Sequence, residues 1–336
     1  MARGGRATPG VALLRTRVRE VSPASIRAAA RILRAGGLVA FPTETVYGLG
    51  ARAYDDVAAR RVYEAKGRPS DNPLIVHVAD PRMLARVARR VTPLARRLMA
   101  AFWPGPLTLV LEKTAAVPAA VTGGGATVAV RCPAHPGARA LIRALGEPIA
   151  APSANISGRP SPTTARHALR DLRGRIPLIL DGGPCRRGLE STIVDARGRR
   201  PVLLRPGAIS SERIARAAGV PTEEPGRAAP PSPGSRHRHY APSCRVVLVP
   251  TALLRRGAVP GLGRPRTGLL HRSPWKGPPL AFARRTPKGV AAYARGLFAG
   301  LRDAESARVK TLFVETVPEG GVGRAVMDRL RRAAAR

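Results

Sequence analysis

Cysteine is scarce in this chain: Cys132, Cys185 and Cys244 are the three among 336 residues, each more than fifty positions from the next, with no C-x-x-C pair. That excludes a disulfide scaffold and a paired-cysteine zinc framework, and it fits a reducing, cytoplasmic setting. Aromatic residues are only 4% of the chain, so a core drawn from its 44% hydrophobic residues must be aliphatic and alanine-rich. No run approaches the roughly 18 apolar residues of a membrane span. The basic start, MARGGRATPGVALLRTRV, has its apolar run confined to Val11–Leu14, too short for a signal-peptide core. A soluble chain with no membrane partner is expected. There is no G-x-x-x-x-G-K-[ST], G-x-S-x-G or H-E-x-x-H, and no Ser/His/Asp set that can be placed. Gly48-Leu49-Gly50-Ala51-Arg52-Ala53 matches G-x-G-x-x-A by letter, but Pro42-Thr43-Glu44-Thr45 separates it from the preceding strand, so it reads as chance.

What the chain has in excess is arginine. Net charge is +37, and five of the 58 basic residues are lysine (Lys66, Lys113, Lys276, Lys288, Lys310). With 35 Gly and 34 Pro, the composition fits G+C-rich codon usage, which makes many arginines solvated bystanders. The sharper reading is a polyanionic partner: nucleotide, pyrophosphate or RNA.

Helix and strand signals alternate. Ser22 caps and Pro23 opens a helix that Gly36 ends, with Ile26, Ala29, Ala30 and Leu33 on one face. Strands are expected at 38–41, 74–78, 107–111, 127–131, 149–151, 178–180, 192–194 and 202–204. Helices are expected at about 56–66, after Asp80-Pro81 and Thr92-Pro93, and at about 138–145. Gly123-Gly124-Gly125 reads as a turn between strands. This predicts an α/β domain over 15–218. A Pro/Gly/Arg-rich stretch without periodicity, PTEEPGRAAPPSPGSRHRH, makes 219–243 a linker. A histidine pair within it, His237 and His239, reads as solvated. A small α/β domain follows over 244–336, with a strand at 245–249, a helix carrying Val290, Tyr293, Ala294, Leu297, Phe298 and Leu301 on one stripe, a strand at 311–314 and a final helix. The Arg- and Pro-rich stretch 251–288 carries no clear pattern.

Four segments read as polar loops bordering strands: PTETVYGLG (42–50), KGRPSDNPLIVH (66–77), PSANISGRPSPT (152–163) and GLESTIVD (188–195). Strand-end loops are where α/β sheets place ligands. Their hydroxyls, amides and backbone N–H groups suit phosphate and carboxylate oxygens, and Lys66 and Arg68 add charge. Alternation along 127–131 puts Thr127 and Arg131 on one face with Ala129; by itself Arg131 reads as a strand-end arginine reaching solvent, and if buried it must meet an anion.

In order, these segments resemble the threonylcarbamoyl-AMP synthase family, which has the YrdC-like fold. The matching text is AFPTETVYGLGARA, KGRPSDNPLIVHV, FWPGPLTLVL, VAVRCPAHP, APSANISGRPSPT, DGG, GLESTIVD and VLLRPGAIS. The pairing of Lys66 and Arg68 with Ser153 and Asn155 is the family hallmark. HYAP (239–242), YARGLFAGLRD and GGVGRAVMDRLRRAAA resemble the family's long form. The resemblance implies a twisted α/β sheet around a basic cavity, plus a small Rossmann-like C-terminal domain.

It also implies a reaction in which L-threonine, bicarbonate and ATP give threonylcarbamoyl-AMP and pyrophosphate, with Mg2+ accompanying ATP. The product would pass to a downstream threonylcarbamoyl transferase modifying tRNA at N6-threonylcarbamoyladenosine. By matched position, L-threonine would contact Thr45, His77, Arg131, Ala151 and Ser191. ATP would contact Lys66, Arg68, Asn72, Thr127, Ser153, Asn155, Ser161, Arg205 and, from the linker acting as a lid, Tyr240. Lys66 and Arg68 would be the catalytic cations, and no residue is expected to hold a metal by itself. Two alternatives stand beside this. One is a basic module of the same fold that binds tRNA or double-stranded RNA without synthase activity. The other is a carbamoyl-transfer module as in hydrogenase maturation proteins, whose acylphosphatase and zinc-finger segments are missing from this sequence.

Overall fold

The structure is a computed structural model and describes residues 14–226, 229–230, 232–233, 239–287 and 289–335. In chain order its first unit runs β1 (Arg17–Glu20), α1 (Pro23–Arg34), β2 (Val39–Phe41), β3 (Gly48–Arg52), α2 (Asp56–Lys66), β4 (Ile75–His77), a 3-10 turn (Pro81–Arg86), α3 (Pro93–Phe102), β5 (Leu107–Glu112), α4 (Ala119–Thr122), β6 (Thr127–Arg131), α5 (Pro136–Leu145), β7 (Ile149–Ala151), α6 (Ala165–Leu172), β8 (Leu178–Asp181), β9 (Thr192–Asp195), β10 (Val202–Arg205) and α7 (Ser211–Ala218). The second runs β11 (Arg245–Val249), α8 (Thr251–Arg255), β12 (Thr267–His271), β13 (Phe282–Arg285), α9 (Val290–Ser306), β14 (Thr311–Glu315) and α10 (Gly323–Ala334).

The helices begin where short polar side chains can satisfy the free backbone N–H groups. Ser22 and Ser25 form a reciprocal capping box on α1; Asp55, Thr92 and Thr164 cap α2, α3 and α6. The ten strands of the first unit form one mixed sheet in the order β1-β8-β2-β3-β7-β4-β6-β5-β9-β10. Period-two alternation gives the sheet two faces. Val76, Leu109, Val130 and Val194 point to a core shared with α2, α3 and α6. On the opposite face α1 and α5 cover Val39, Phe41, Ile149, Leu178 and Leu180. Farther along that face Ile75, Val110, Ala129 and Ile193 form a small separate apolar cluster. Here the described linker residues and the second unit approach the sheet.

The second unit is a four-stranded, all-parallel sheet in the order β11-β14-β12-β13, flanked by helices. The expected stripe on α9 is buried at Tyr293, Ala294, Leu297, Phe298 and Leu301. The patternless stretch 251–288 contains α8, β12 and β13. The two units share one apolar core: Val46 and Leu189 of the first pack with Tyr240 of the linker and the α9 stripe.

Three readings of the sequence need correction. Residues 48–50 are strand, because Gly48 and Gly50 let β3 lie tight between β2 and β7; a Cβ on Gly50 would sit 2.7 Å from Ile149 and 3.0 Å from Phe41. Those glycines serve close packing, which a propensity reading takes for loop. The glycine run 123–125 follows a helix, not a strand: Gly123 at φ 60° terminates α4. The helix after Asp80 is a 3-10 turn, although Asp80 caps it as expected.

Gly188 lies at φ +68°, and a Cβ there would stand 2.5 Å from the carbonyl oxygen of Arg295 on α9. Gly188→Ala is therefore expected to lower stability by about 2–4 kcal/mol through left-handed strain and overpacking. A reduced urea midpoint checks this; an unchanged midpoint would contradict the close approach of α9 to the first unit.

Candidate active site

One cavity opens on the sheet face left uncovered by α1 and α5. Thr43, Thr45, Arg68, His77, Arg131, Ala151, Ser153, Asn155, Arg159, Ser161, Glu190, Ser191 and Arg205 line it from the first unit, and Pro233, His239 and Tyr240 from the linker. Its lining holds four arginines against one carboxylate, so its field is positive. With the linker seated, only about 60 Å³ is open to water-sized groups, room for a few waters.

One side is built on β4 and β6, whose last residues His77 and Arg131 are paired in register. Arg131 meets a carboxylate of the protein itself, Glu44: Nη2 donates to Oε1 at 2.6 Å, and both side chains are buried. Nη1 donates to Thr45 Oγ1 at 2.8 Å and Nε to the Gly105 carbonyl at 3.2 Å. Three of the five guanidinium N–H groups are thus engaged and two remain. Glu44 also accepts from the Ala134 N–H at 3.0 Å. Thr43 holds the turn by donating to the Val46 carbonyl at 2.6 Å and pairing with Thr45 Oγ1 at 2.8 Å. Burial, and then the Arg131 charge, push His77 down to about 3, so its imidazole is neutral at physiological pH. Its Nδ1 lies 3.0 Å from the Ile75 carbonyl. A carbonyl can only accept, so Nδ1 carries the proton.

The other side carries two arginines, Arg68 and Arg205, with no carboxylate hydrogen-bonded to them among the described residues, although Asp71 acts on the first and Glu190 on the second from farther off. Arg205, on β10, donates from Nη2 to the Ser191 carbonyl at 2.8 Å and from Nη1 to the Pro233 carbonyl at 2.9 Å, and its buried Nε has no partner among the described residues. Arg68 donates to Asn72 Oδ1 at 2.6 Å and to the Pro73 carbonyl at 2.9 Å. Burial lowers both, Arg68 to about 10. Ser191 is fixed by Thr108 at 2.7 Å, and Gly207 backs onto Ser191–Thr192 so closely that a Cβ would lie 2.4 Å from the Thr192 nitrogen.

Most of the residues expected from the sequence therefore converge: Thr45, His77, Arg131, Ala151 and Ser191 with Arg68, Ser153, Asn155, Ser161, Arg205 and Tyr240. Three stand outside the lining. Lys66, at the end of α2, turns its ammonium to the carbonyls of Ser153 (2.5 Å) and Asn155 and so ties down the loop behind the cavity. Burial and the Arg68 charge push that ammonium's pKa well down. Asn72 sits behind Arg68, its amide 3.4 Å from His239. Thr127 is half-buried at the start of β6, about 13 Å along the strand from Arg131. Of the histidine pair read as solvated, His239 is buried and lines the cavity, whereas His237 lies outside the described residues. Sequence reasoning missed Glu44, Glu190, Arg159 and His239; the demand for an anion at Arg131 was the one signal pointing to Glu44.

Fold and site together define an α/β enzyme that holds anionic substrates in a cationic hollow. Comparison with known proteins agrees. A family described as "Telomere recombination" matches residues 31–207, and one described as "Threonylcarbamoyl-AMP synthase, C-terminal domain" matches 209–335. The chain is 45% identical over 320 residues to a threonylcarbamoyl-AMP synthase of Pyrococcus abyssi (strain GE5 / Orsay), covering 92% of this chain and 93% of the relative. It is 44% identical over 322 residues to one of Bacillus subtilis (strain 168), covering 92% of each. The crystal structure of P. abyssi Sua5 complexed with L-threonine superposes with a TM-score of 0.86 at 42% identity, covering 96% of this chain and 98% of that one. The chain belongs to the threonylcarbamoyl-AMP synthase family, in its two-domain form. That makes it an enzyme of the nucleotidyltransferase type with a YrdC-like domain, and no described helix is long and apolar enough to cross a membrane.

The Arg131–Glu44 pair is testable by itself. Arg131→Met strands a buried carboxylate and is expected to cost about 3–5 kcal/mol of stability, and Glu44→Gln added to it should recover at least half. Urea denaturation of the three variants measures this; additive losses would contradict the pairing.

Proposed function

We propose that the cavity condenses L-threonine, bicarbonate and ATP to threonylcarbamoyl-AMP and pyrophosphate. The observation that carries this reading is the division of the cavity into one half whose arginine is neutralised and one half whose cations are not. Arg131, with two free N–H groups beside Thr45, neutral His77 and Ser191, suits the carboxylate, amine and hydroxyl of a small amino acid. Arg68 and Arg205, with no carboxylate hydrogen-bonded to them among the described residues, suit a triphosphate, with Ser153, Asn155 and Ser161 available to the nucleotide.

The chemistry needs no side-chain nucleophile. The threonine amine attacks the bicarbonate carbon, and loss of water leaves a carbamate. A carbamate oxygen then attacks the α-phosphorus of ATP, forming the P–O bond as the bond to pyrophosphate breaks. Catalysis comes from holding two anions side by side and stabilising the crowded phosphorus with Arg68 and Arg205. Mg2+ enters as part of the substrate MgATP, held by phosphate oxygens and water. Lys66 contributes through the loop it ties, and it can turn to a phosphate when that loop yields. Asn72 acts behind Arg68, and Thr127 reaches ATP only at its far end.

ATP cannot enter about 60 Å³ of room, so the linker segment carrying Pro233, His239 and Tyr240 serves as a lid that lifts and re-seats. Tyr240 lies at φ 67°, a conformation unfavourable for a residue with a side chain, held in place by its contacts. The product passes to a transferase acting on tRNA in the cytoplasm. An RNA surface is offered by Arg15, Arg17, Arg19, Arg27 and Arg31 along β1 and α1, all exposed and without an acidic partner among the described residues.

Pyrophosphate release from ATP tests the reading. It is expected to require both L-threonine and bicarbonate, and release independent of either would refute it. Arg131→Lys is expected to raise the KM for threonine about 10-fold or more while changing that for ATP little, because one ammonium replaces a planar fork. Equal effects on both would remove Arg131 from the carboxylate.

A further inference from the structure

Two arginines of the second unit, Arg302 on α9 and Arg329 on α10, are completely buried, and both reach into the first unit. Arg302 grips Asp171 on α6 through both terminal nitrogens, at 2.7 and 3.1 Å, and the Pro160 carbonyl in the loop that carries Ser153 to Ser161. Arg329 goes further. Its Nε donates to Glu190 Oε2 at 2.9 Å and its Nη2 to the Pro206 carbonyl at 2.9 Å, while Nη1 donates to Asp328 at 2.6 Å. The guanidinium carbon lies 5.1 Å from the centre of the Tyr240 ring, which also stacks on Phe298 of α9 at 5.4 Å and meets the His239 ring at 5.5 Å.

Glu190 and Tyr240 line the cavity; Arg329 does not. Glu190 is also the one carboxylate in that lining, on the side meant for phosphates, and its second oxygen accepts from Ser161. An unneutralised carboxylate there would repel a triphosphate and would leave the Ser161 hydroxyl oriented by a free anion. A cation held behind the wall removes both penalties without competing for the phosphates. The same cation lies over the ring of the linker tyrosine, 5.1 Å from its centre. One side chain of the last helix thus touches the segment carrying Glu190, the residue after Arg205, and the linker.

We propose that Arg329 is a positioning residue for the nucleotide half of the site: it neutralises and orients Glu190 and backs Tyr240, so that the C-terminal domain determines affinity for ATP and leaves affinity for threonine alone. This rests on the synthase reading and assigns a role to a residue that touches no substrate.

The test is calorimetric titration of the full chain with a non-hydrolysable ATP analogue plus Mg2+, and separately with L-threonine. Arg329→Gln is expected to weaken the analogue about 10-fold or more and threonine less than about 3-fold. In a Glu190→Gln background the same change should cost the analogue less than about 3-fold, since no charge remains to neutralise. Equal losses for both ligands, or an undiminished loss in the Glu190→Gln background, would show a merely structural role and overturn the proposal. Should Arg329→Gln fail to fold by circular dichroism, Arg329→Lys decides: one ammonium cannot reach Glu190 and Pro206 together, so the analogue should weaken about 3-fold or more, and wild-type affinity would overturn the proposal. Wild-type protein that binds the analogue but releases no pyrophosphate would refute the synthase reading and leave this pattern standing.

Discussion

A guanidinium or ammonium taken out of water must be answered by an opposite charge or by well-aimed oxygens. This fold buries four arginines and one lysine among its described residues. How each is answered sorts their roles. Arg131, Arg302 and Arg329 have carboxylate partners in Glu44, Asp171 and Glu190. Arg205 and Lys66 have only carbonyl and hydroxyl oxygens. Arg302 and Arg329 are settled parts of the architecture, while Arg131, neutralised by Glu44, keeps two N–H groups for a substrate carboxylate. Arg205, with half-buried Arg68, lines the end of the cavity where a triphosphate is expected, neither having a carboxylate hydrogen-bonded to it among the described residues, while Lys66 stands behind the lining, where burial disfavours its charged form.

That distribution explains why the two units fold against each other. The ten-stranded sheet leaves part of one face without a helix; β4 and β6 present His77 and Arg131 there, and the residue just before β9 is Ser191. The second unit covers the opening with an apolar seam from Val46 and Leu189 to Phe298, and with ion pairs between the units, among them Arg302–Asp171, Arg329–Glu190 and Glu305–Arg159. Gly188 is one point of close approach, where its backbone faces that of Arg295. Tyr240 of the linker lies between the units, so its ring belongs at once to the cavity, to the core of the second unit and to the surroundings of Arg329.

Much of this was legible in the amino-acid sequence, and the parts that were not share a cause. Strands at Thr127–Arg131, Ile149–Ala151 and Arg245–Val249 were read to the residue because apolar side chains mark them plainly. β1 escaped because an edge strand of RVRE, exposed at every position, carries no apolar alternation. β3 escaped because its glycines answer to Phe41 and Ile149, residues distant in sequence. The polar segments and their order pointed to the cavity and to most of its lining. The partners Glu44, Glu190 and Arg329 were invisible, since ion pairing across 139 residues, as between Arg329 and Glu190, leaves no local pattern. For the same reason Lys66, which reads as a phosphate cation, proved to be tied to the carbonyls of Ser153 and Asn155.

The central claim is that one cavity holds both substrates, each in the half whose charge balance suits it. A crystal structure of the full chain with L-threonine and a non-hydrolysable ATP analogue tests it most directly. The expected result is the threonine carboxylate on Arg131 and the triphosphate on Arg68 and Arg205, with the amine facing the α-phosphorus under Tyr240. A nucleotide bound outside this hollow, or a threonine carboxylate away from Arg131, would contradict it.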